Sequence, residues 1–282
     1  MNTRRPAFLA AVASLVLVAT ACAGAEDEAA TPPPEELRVQ VASYDLAVGT
    51  GRFMVGLLTG QNELVAGGMI DMEFTPPGGA AGQRARGAFL PLPEEEHEEG
   101  QEELPHATGV YASQVTFEEP GTWRVVVTAT VDGQRTTGST TFEVIDEPRF
   151  PAAGDRAPRS DNLTVGSKDV PPAAVDSRAI EDGEIPDPDL HRVTIAEAIA
   201  ESRPVLAVFS TPTFCESRFC GPVTDMVASL AADYPEAAEY VHVEIWKDRQ
   251  NNVVNRAAAE WVLRDDTLLE PWVFLVGENG RI

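Results

Sequence analysis

The chain has 282 residues, enough for about two domains at roughly 100–200 residues each. It carries 45 acidic against 21 basic side chains, a formal net charge of -24. That sign argues against nucleic acid as a partner and against electrostatic docking on anionic lipid, and it suits a solvated surface outside a cell.

The first 22 residues, MNTRRPAFLAAVASLVLVATAC, read as an address. Arg4 and Arg5 form a basic start, an apolar run follows, and small residues precede Cys22. The apolar run is short for a spanning helix, which needs about 20 residues. Residues 1–21 are therefore expected to be a signal peptide. Ala19-Thr20-Ala21-Cys22 resembles a bacterial lipobox, and the resemblance implies lipidation of Cys22 and anchoring in the cell membrane on its extracytoplasmic side. The plainer alternative is ordinary cleavage beside a cysteine, or an uncleaved anchor. Residues 22–36 are acidic, Pro-rich and poor in large apolar side chains, so they are expected to form a disordered tether.

Residues 37–146 show period-2 alternation with β-branched and aromatic enrichment, broken by Gly and Pro at short intervals. This pattern predicts an antiparallel sandwich. In GTWRVVVTATVDG, Trp123, Val125, Val127 and Ala129 fall on one face, and Asp132-Gly133 supplies a tight hairpin turn. The run GVYASQVTFEEPGTWRVVVTATVDG resembles the carboxyl half of an immunoglobulin-like domain of the YtkA-like or FixH-like type.

Within this region PEEEHEEGQEELPH crowds glutamates around His97 and must be a solvated loop, because like charges repel and cannot be buried together. His97 and His106 with these carboxylates could hold a divalent cation, and Met54, Met69 and Met72 could add soft ligands for copper. Against this, Met69 and Met72 are three apart in a strand pattern and point to opposite faces. The balance predicts no metal and no cofactor.

Residues 147–190 read as an extended linker. The α/β alternation of 191–282 comes next. DLHRVTIAEAIAESRP has a helical period, with Thr194 as its cap and Pro204 as its stop. PVLAVFS suits a buried strand, GPVTDMVASLAADYP a helix with Pro222 in its first turn, YVHVEIW a strand, NNVVNRAAAEWVL a helix and PWVFLV a strand. This order predicts a parallel pair with a crossover helix and an antiparallel third strand.

Three features of this half resemble the thioredoxin-like fold of the TlpA-like and AhpC-TSA-like families. AAGDRAP matches a V-G-D-x-A-P leading segment. Cys220-Gly221-Pro222-Val223 stands where C-G-P-C opens the first long helix. Glu270-Pro271-Trp272 stands at the position of the families' cis-proline. The resemblance implies two domains: an all-β immunoglobulin-like sandwich, then an α/β thioredoxin-like fold that ends early, leaving the strand at Val276 as an edge. It implies a catalytic pair with Cys220 as attacking thiol at the helix N-terminus, where the dipole stabilises a thiolate. Cys215 becomes the resolving thiol and Pro271 faces the sulfurs. Thr211, Pro212, Thr213, Phe214, Gly221, Pro222 and Glu270 shape the substrate groove. Two departures stand out: Val223 replaces the families' second cysteine, and Val208 occupies the place of thioredoxin's buried carboxylate.

The function this predicts is a membrane-anchored extracytoplasmic thiol–disulfide oxidoreductase acting on protein thiols or disulfides. With Cys22 lipidated, Cys215 and Cys220 are the two remaining cysteines of three. Two alternatives stand beside it. One is a binding lipoprotein in which the pair is a structural disulfide. The other is a Sco-like copper chaperone, for which His242 is the nearest candidate ligand.

Overall fold

The computed structural model describes residues 36–79, 82–91, 109–180, 183–215 and 219–282. The expected signal peptide, Cys22, nearly all of the expected tether, and the acidic run with His97 and His106 lie outside the described residues. Glu35–Ile282 forms one compact unit.

Seven strands build its first half: β1 (Arg38–Val41), β2 (Gly49–Leu58), β3 (Met69–Thr75), β4 (Arg84–Pro91), β5 (Gly109–Phe117), β6 (Gly121–Val131) and β7 (Gln134–Val144). They form one antiparallel sheet in the order β1-β2-β5-β4-β3-β6-β7. The sheet curls until its two edges nearly meet, and the Leu37 amide donates to the Thr137 carbonyl at 3.0 Å. Gly138 permits that approach, since a Cβ there would lie 2.0 Å from the Leu37 carbonyl oxygen. Asp132 and Gly133, both at positive φ, close the β6–β7 hairpin between the paired residues Val131 and Gln134.

The alternation seen in the sequence fixes which side chains enter the core. Trp123, Val125, Val127 and Ala129 are buried on β6, and Phe53, Phe74, Phe117 and Phe142 meet them from other strands. Met72 belongs to this core whereas Met69 is exposed. The all-β sandwich expected for this half is therefore present.

The second half departs from expectation. It contains α1 (Ile195–Ala200), β8 (Val205–Ser210), α2 (Cys220–Asp233), β9 (Glu239–Glu244), β10 (Trp246–Asp248), β11 (Val253–Val254), α3 (Arg256–Val262), β12 (Leu263–Arg264), β13 (Thr267–Leu268) and β14 (Trp272–Val276). β8 pairs parallel with β9 and antiparallel with β14, giving a three-stranded sheet in the order β14-β8-β9. The α/β thioredoxin-like fold is not what forms. Among the described residues the fold is β-dominated, 41% strand against 17% helix, with three α-helices, two of them only six and seven residues long.

The physical reason lies between β9 and β14. NNVVNRAAAEWVL has a helical period, but its first residues pair as the β10–β11 hairpin. After α3 the chain turns at Asp265 and Asp266, both at positive φ, into the β12–β13 hairpin. Short β-pairings thus replace the length of helix that the fold needed.

The three-stranded sheet is covered on both faces. Phe209, Trp261 and Phe274 pack with Ile195 and Val241 on one side, and Val208, Val227, Leu190 and Tyr240 on the other. Thr194 caps α1 in a capping box with Glu197, each binding the other's backbone amide. Asp45, at positive φ in the loop before β2, accepts from the amides of Arg149 and Phe150 and from the Arg149 side chain. That carboxylate latches the sandwich to the segment leading into the second half.

Candidate functional site

β8 is apolar along most of its length and ends in Ser210; Thr211 follows it, and both are fully buried. The chain then turns through Pro212 to Cys215 and re-enters the fold at α2. Cys215 and Cys220 are joined by a disulfide, with Cα atoms 5.9 Å apart. Cys220 is the first residue of α2 and is fully buried, whereas Cys215 is half-buried on the loop. The helix N-cap is Phe219, which supplies no side-chain cap, so the first-turn amides and the dipole are directed toward the Cys220 end. Gly221 is not required for packing, because a Cβ there would meet nothing within 4 Å.

The structure brings together part of the expected groove. Phe214, Glu270 and Pro271, the last after a cis peptide bond, line a cleft of about 450 Å³. Tyr44 from the sandwich and Trp246, Arg249 and Trp272 complete it. The Arg249 guanidinium lies 4.8 Å from the Trp246 ring centre and 6.0 Å from that of Phe214. Thr211 is elsewhere: it is buried beneath the loop, with its hydroxyl 3.5 Å from Ser177 Oγ. Thr213 is exposed, and its amide donates to the same Ser177 hydroxyl at 3.1 Å. Pro212, Gly221 and Pro222 are half-buried and do not line the cleft.

A buried polar network lies under this loop, and sequence reasoning missed most of it. Asp176, His191 and His242 are all fully buried. Asp176 Oδ2 is 3.3 Å from His191 Nε2 and 3.4 Å from His242 Nδ1, and Arg178 grips the same carboxylate at 2.7 Å. The His242 Nε2–H donates to the Ser210 carbonyl at 3.1 Å, tying the network to the end of β8. Burial pushes the Asp176 carboxyl up, but hydrogen bonds from His191, His242 and Arg178 outweigh it and hold the group well below the usual range. Burial drives the His191 imidazole the other way, below its ordinary value.

Glu244 pairs in register with Ser210 and is also buried. It accepts from the amides of Ser177 and Trp246, and burial raises its pKa. A buried carboxylate thus stands at the end of β9, beside Ser210 at the end of β8. Asp176 sits in what reads as a linker and His191 in a polar run, so no local signal marked either. His242 was visible only as a polar residue on an apolar strand.

No family model and no curated protein matches the chain. Among solved structures it is similar to the PKD domain of human VPS10 domain-containing receptor SorCS2, at 13% identity over 51% of this chain and 99% of that one, with a TM-score of 0.21. It is also similar to MtrC from Shewanella baltica OS185, at 12% identity over 43% of this chain and 24% of that one, with a TM-score of 0.24. Scores this low carry no argument, and the all-β description of the first half rests on its own strand order and register. Among the described residues no helix is long and apolar enough to cross a membrane.

Proposed function

We propose that the chain is an extracytoplasmic thiol–disulfide exchange protein, tethered to the membrane through a lipid on Cys22 and acting on protein thiols through the Cys215–Cys220 pair. The observation that carries this reading is the placement of one disulfide, with Cys215 on the loop and Cys220 at the start of a 14-residue helix.

Burial favours a division of labour opposite to the one expected from sequence. A partner thiolate reaches Cys215 before Cys220. It attacks the Cys215 sulfur, the Cys215–Cys220 bond breaks, and Cys220 leaves as a thiolate stabilised by the helix N-terminus. A second partner thiolate then attacks the partner's sulfur in the mixed disulfide, and Cys215 leaves with its electron pair. The partner loses two electrons and two protons as its own disulfide forms, and the Cys215–Cys220 pair gains them. The same steps run backwards when the partner arrives oxidised. In this reading the partner's chain lies in the cleft lined by Tyr44, Pro271 and Phe214, the last one residue along the chain from Cys215.

Redox titration of the pair, read by mass spectrometry of alkylated peptides, tests this. Exchange requires a reduction potential above the roughly −300 mV typical of inert structural bridges. The complete burial of Cys220 favours one competing reading, a structural disulfide in a binding protein. A potential below that mark, with no exchange onto a reduced protein substrate, selects the competing reading.

A further inference from the structure

The buried network under the redox loop has no part in the exchange steps, yet its atoms converge as ligands do. We propose that Asp176, His191 and His242 bind a divalent first-row transition metal ion of the zinc class, through Asp176 Oδ2, His191 Nε2 and His242 Nδ1. These three atoms lie within 4.8 Å of one another, and two of the three separations are 3.3 and 3.4 Å. Ligand atoms at about 2.0–2.2 Å from a shared zinc-like ion lie roughly 3–3.6 Å apart, so both Asp–His separations already fit and the two imidazole nitrogens, within 4.8 Å, close on the ion.

Tautomer chemistry points the same way. The His242 Nε2–H is committed to the Ser210 carbonyl, which leaves Nδ1 as the lone-pair nitrogen. That nitrogen lies 3.4 Å from the Asp176 carboxylate oxygen in a fully buried site, with no other partner among the described residues. Two lone pairs cannot face each other there, so a proton or a metal cation lies between them, and a bound metal ion takes the proton's place on Nδ1. A backbone carbonyl fixing the far nitrogen of a histidine is the usual outer support of a metal-bound imidazole. Two imidazoles and one carboxylate form a donor set suited to zinc, cobalt(II) or iron(II) rather than to copper(I).

Charge balance also permits a doubly positive ion. Arg178 bonds Asp176 Oδ1 as well as Oδ2, which orients the carboxylate. Its own charge is answered by Asp187 at 2.9 Å and Asp225 at 3.2 Å, so three carboxylates surround one guanidinium. The three ligands come from the segment after the 172–174 turn, from the 188–191 turn and from β9. A bound ion therefore staples the irregular 147–190 stretch to the sheet and holds the floor of the disulfide loop.

Titration of the full-length, chelator-stripped protein with Co²⁺ alone, disulfide intact, tests the site. One ion per chain should bind, with visible d–d absorption and no sulfur-to-cobalt charge-transfer band, and Zn²⁺ should displace it. Asp176→Asn and His242→Gln should each weaken binding by at least about 100-fold, more than the 10–100-fold typical of outer-shell partners. A His97→Ala/His106→Ala variant should bind as the parent does. Three results each overturn the proposal: no saturable Co²⁺ binding, a thiolate band, or binding lost with His97 and His106. If the ligand variants do not fold, nitrogen-15 shifts of the parent's histidines decide. Zn²⁺ should move His242 Nδ1 and His191 Nε2, and unmoved nitrogens overturn the assignment.

Discussion

Phe53, Phe74, Phe117 and Phe142 meet in the sandwich core with ring centres 4.8–6.3 Å apart, and among the described residues no Asp, Glu, Lys, Arg or His belongs to that buried cluster. Below β8 the interior is different: Asp176, His191, His242 and Glu244 are all buried there, together with Ser210, Thr211 and Thr224. A core of aromatic rings is held by area and dispersion and tolerates no specific chemistry. A core of paired polar groups is held only while every partner is present, and it supplies the proton and ligand chemistry that the aromatic core lacks. Within one compact unit, the first half is thus packed by apolar contact, and the second half adds a buried polar network beside its own apolar core.

The strongest way to break this contrast is in the aromatic core. Phe53→Ala removes a fully buried ring from contacts with three other phenylalanines and should cost about 3–5 kcal/mol in urea unfolding. A cost near 1 kcal/mol would show that the sandwich collapses around the hole and is not tightly packed.

The matching test in the polar core is Asp176→Asn. The amide keeps the shape but deprives two imidazoles and a guanidinium of their shared anion. Breaking a buried ionic network in this way should cost about 3 kcal/mol, the low end of the range for buried pairs, because Arg178 keeps Asp187 and Asp225. If metal-free protein loses less than about 1 kcal/mol, the network is dispensable to the fold, and the contrast between the halves is weaker than drawn.

The same contrast explains what the sequence disclosed. Strand alternation around Trp123 marks burial directly, so the sandwich core was legible residue by residue. The Cys215–Cys220 pair and the cis bond at Pro271 were legible because cysteine spacing and proline positions carry local signals. Asp176 and His191 were not, since a polar residue in an irregular segment looks solvated until the fold closes over it. The thioredoxin-like expectation failed for a related reason. It rested on motifs at the strand–helix junction, while turn residues such as Asp265-Asp266, which divert the chain into hairpins, carried less weight than the helical period before them.

The disulfide is the next smaller lever. Replacing both Cys215 and Cys220 with serine removes a short cross-link, with a sequence separation of 5. The expected loss is about 2 kcal/mol, from loop-closure entropy in the unfolded chain. Denaturant unfolding of the double variant beside the parent measures it. A loss well above 3 kcal/mol would make the bridge a principal brace of the second half and favour the structural reading over exchange.

The smallest expected stability effect is the most informative about how the two halves cooperate. Tyr44 belongs to the sandwich, is 71% exposed, and yet lines the cleft beside Phe214 and Pro271. Tyr44→Ala removes little buried area, so unfolding should shift by no more than about 0.5 kcal/mol. If the cleft receives a partner's chain, the variant should exchange with a reduced protein several-fold more slowly than the parent. Its exchange with dithiothreitol, too small to span the cleft, should stay unchanged. Equal rates with both substrates would confine the chemistry to the second half and leave the sandwich as a support. A loss seen with the protein substrate alone would mean that the all-β half shapes the site it was not expected to touch, through a ring whose exposure on a stable sandwich reflects its use in recognition.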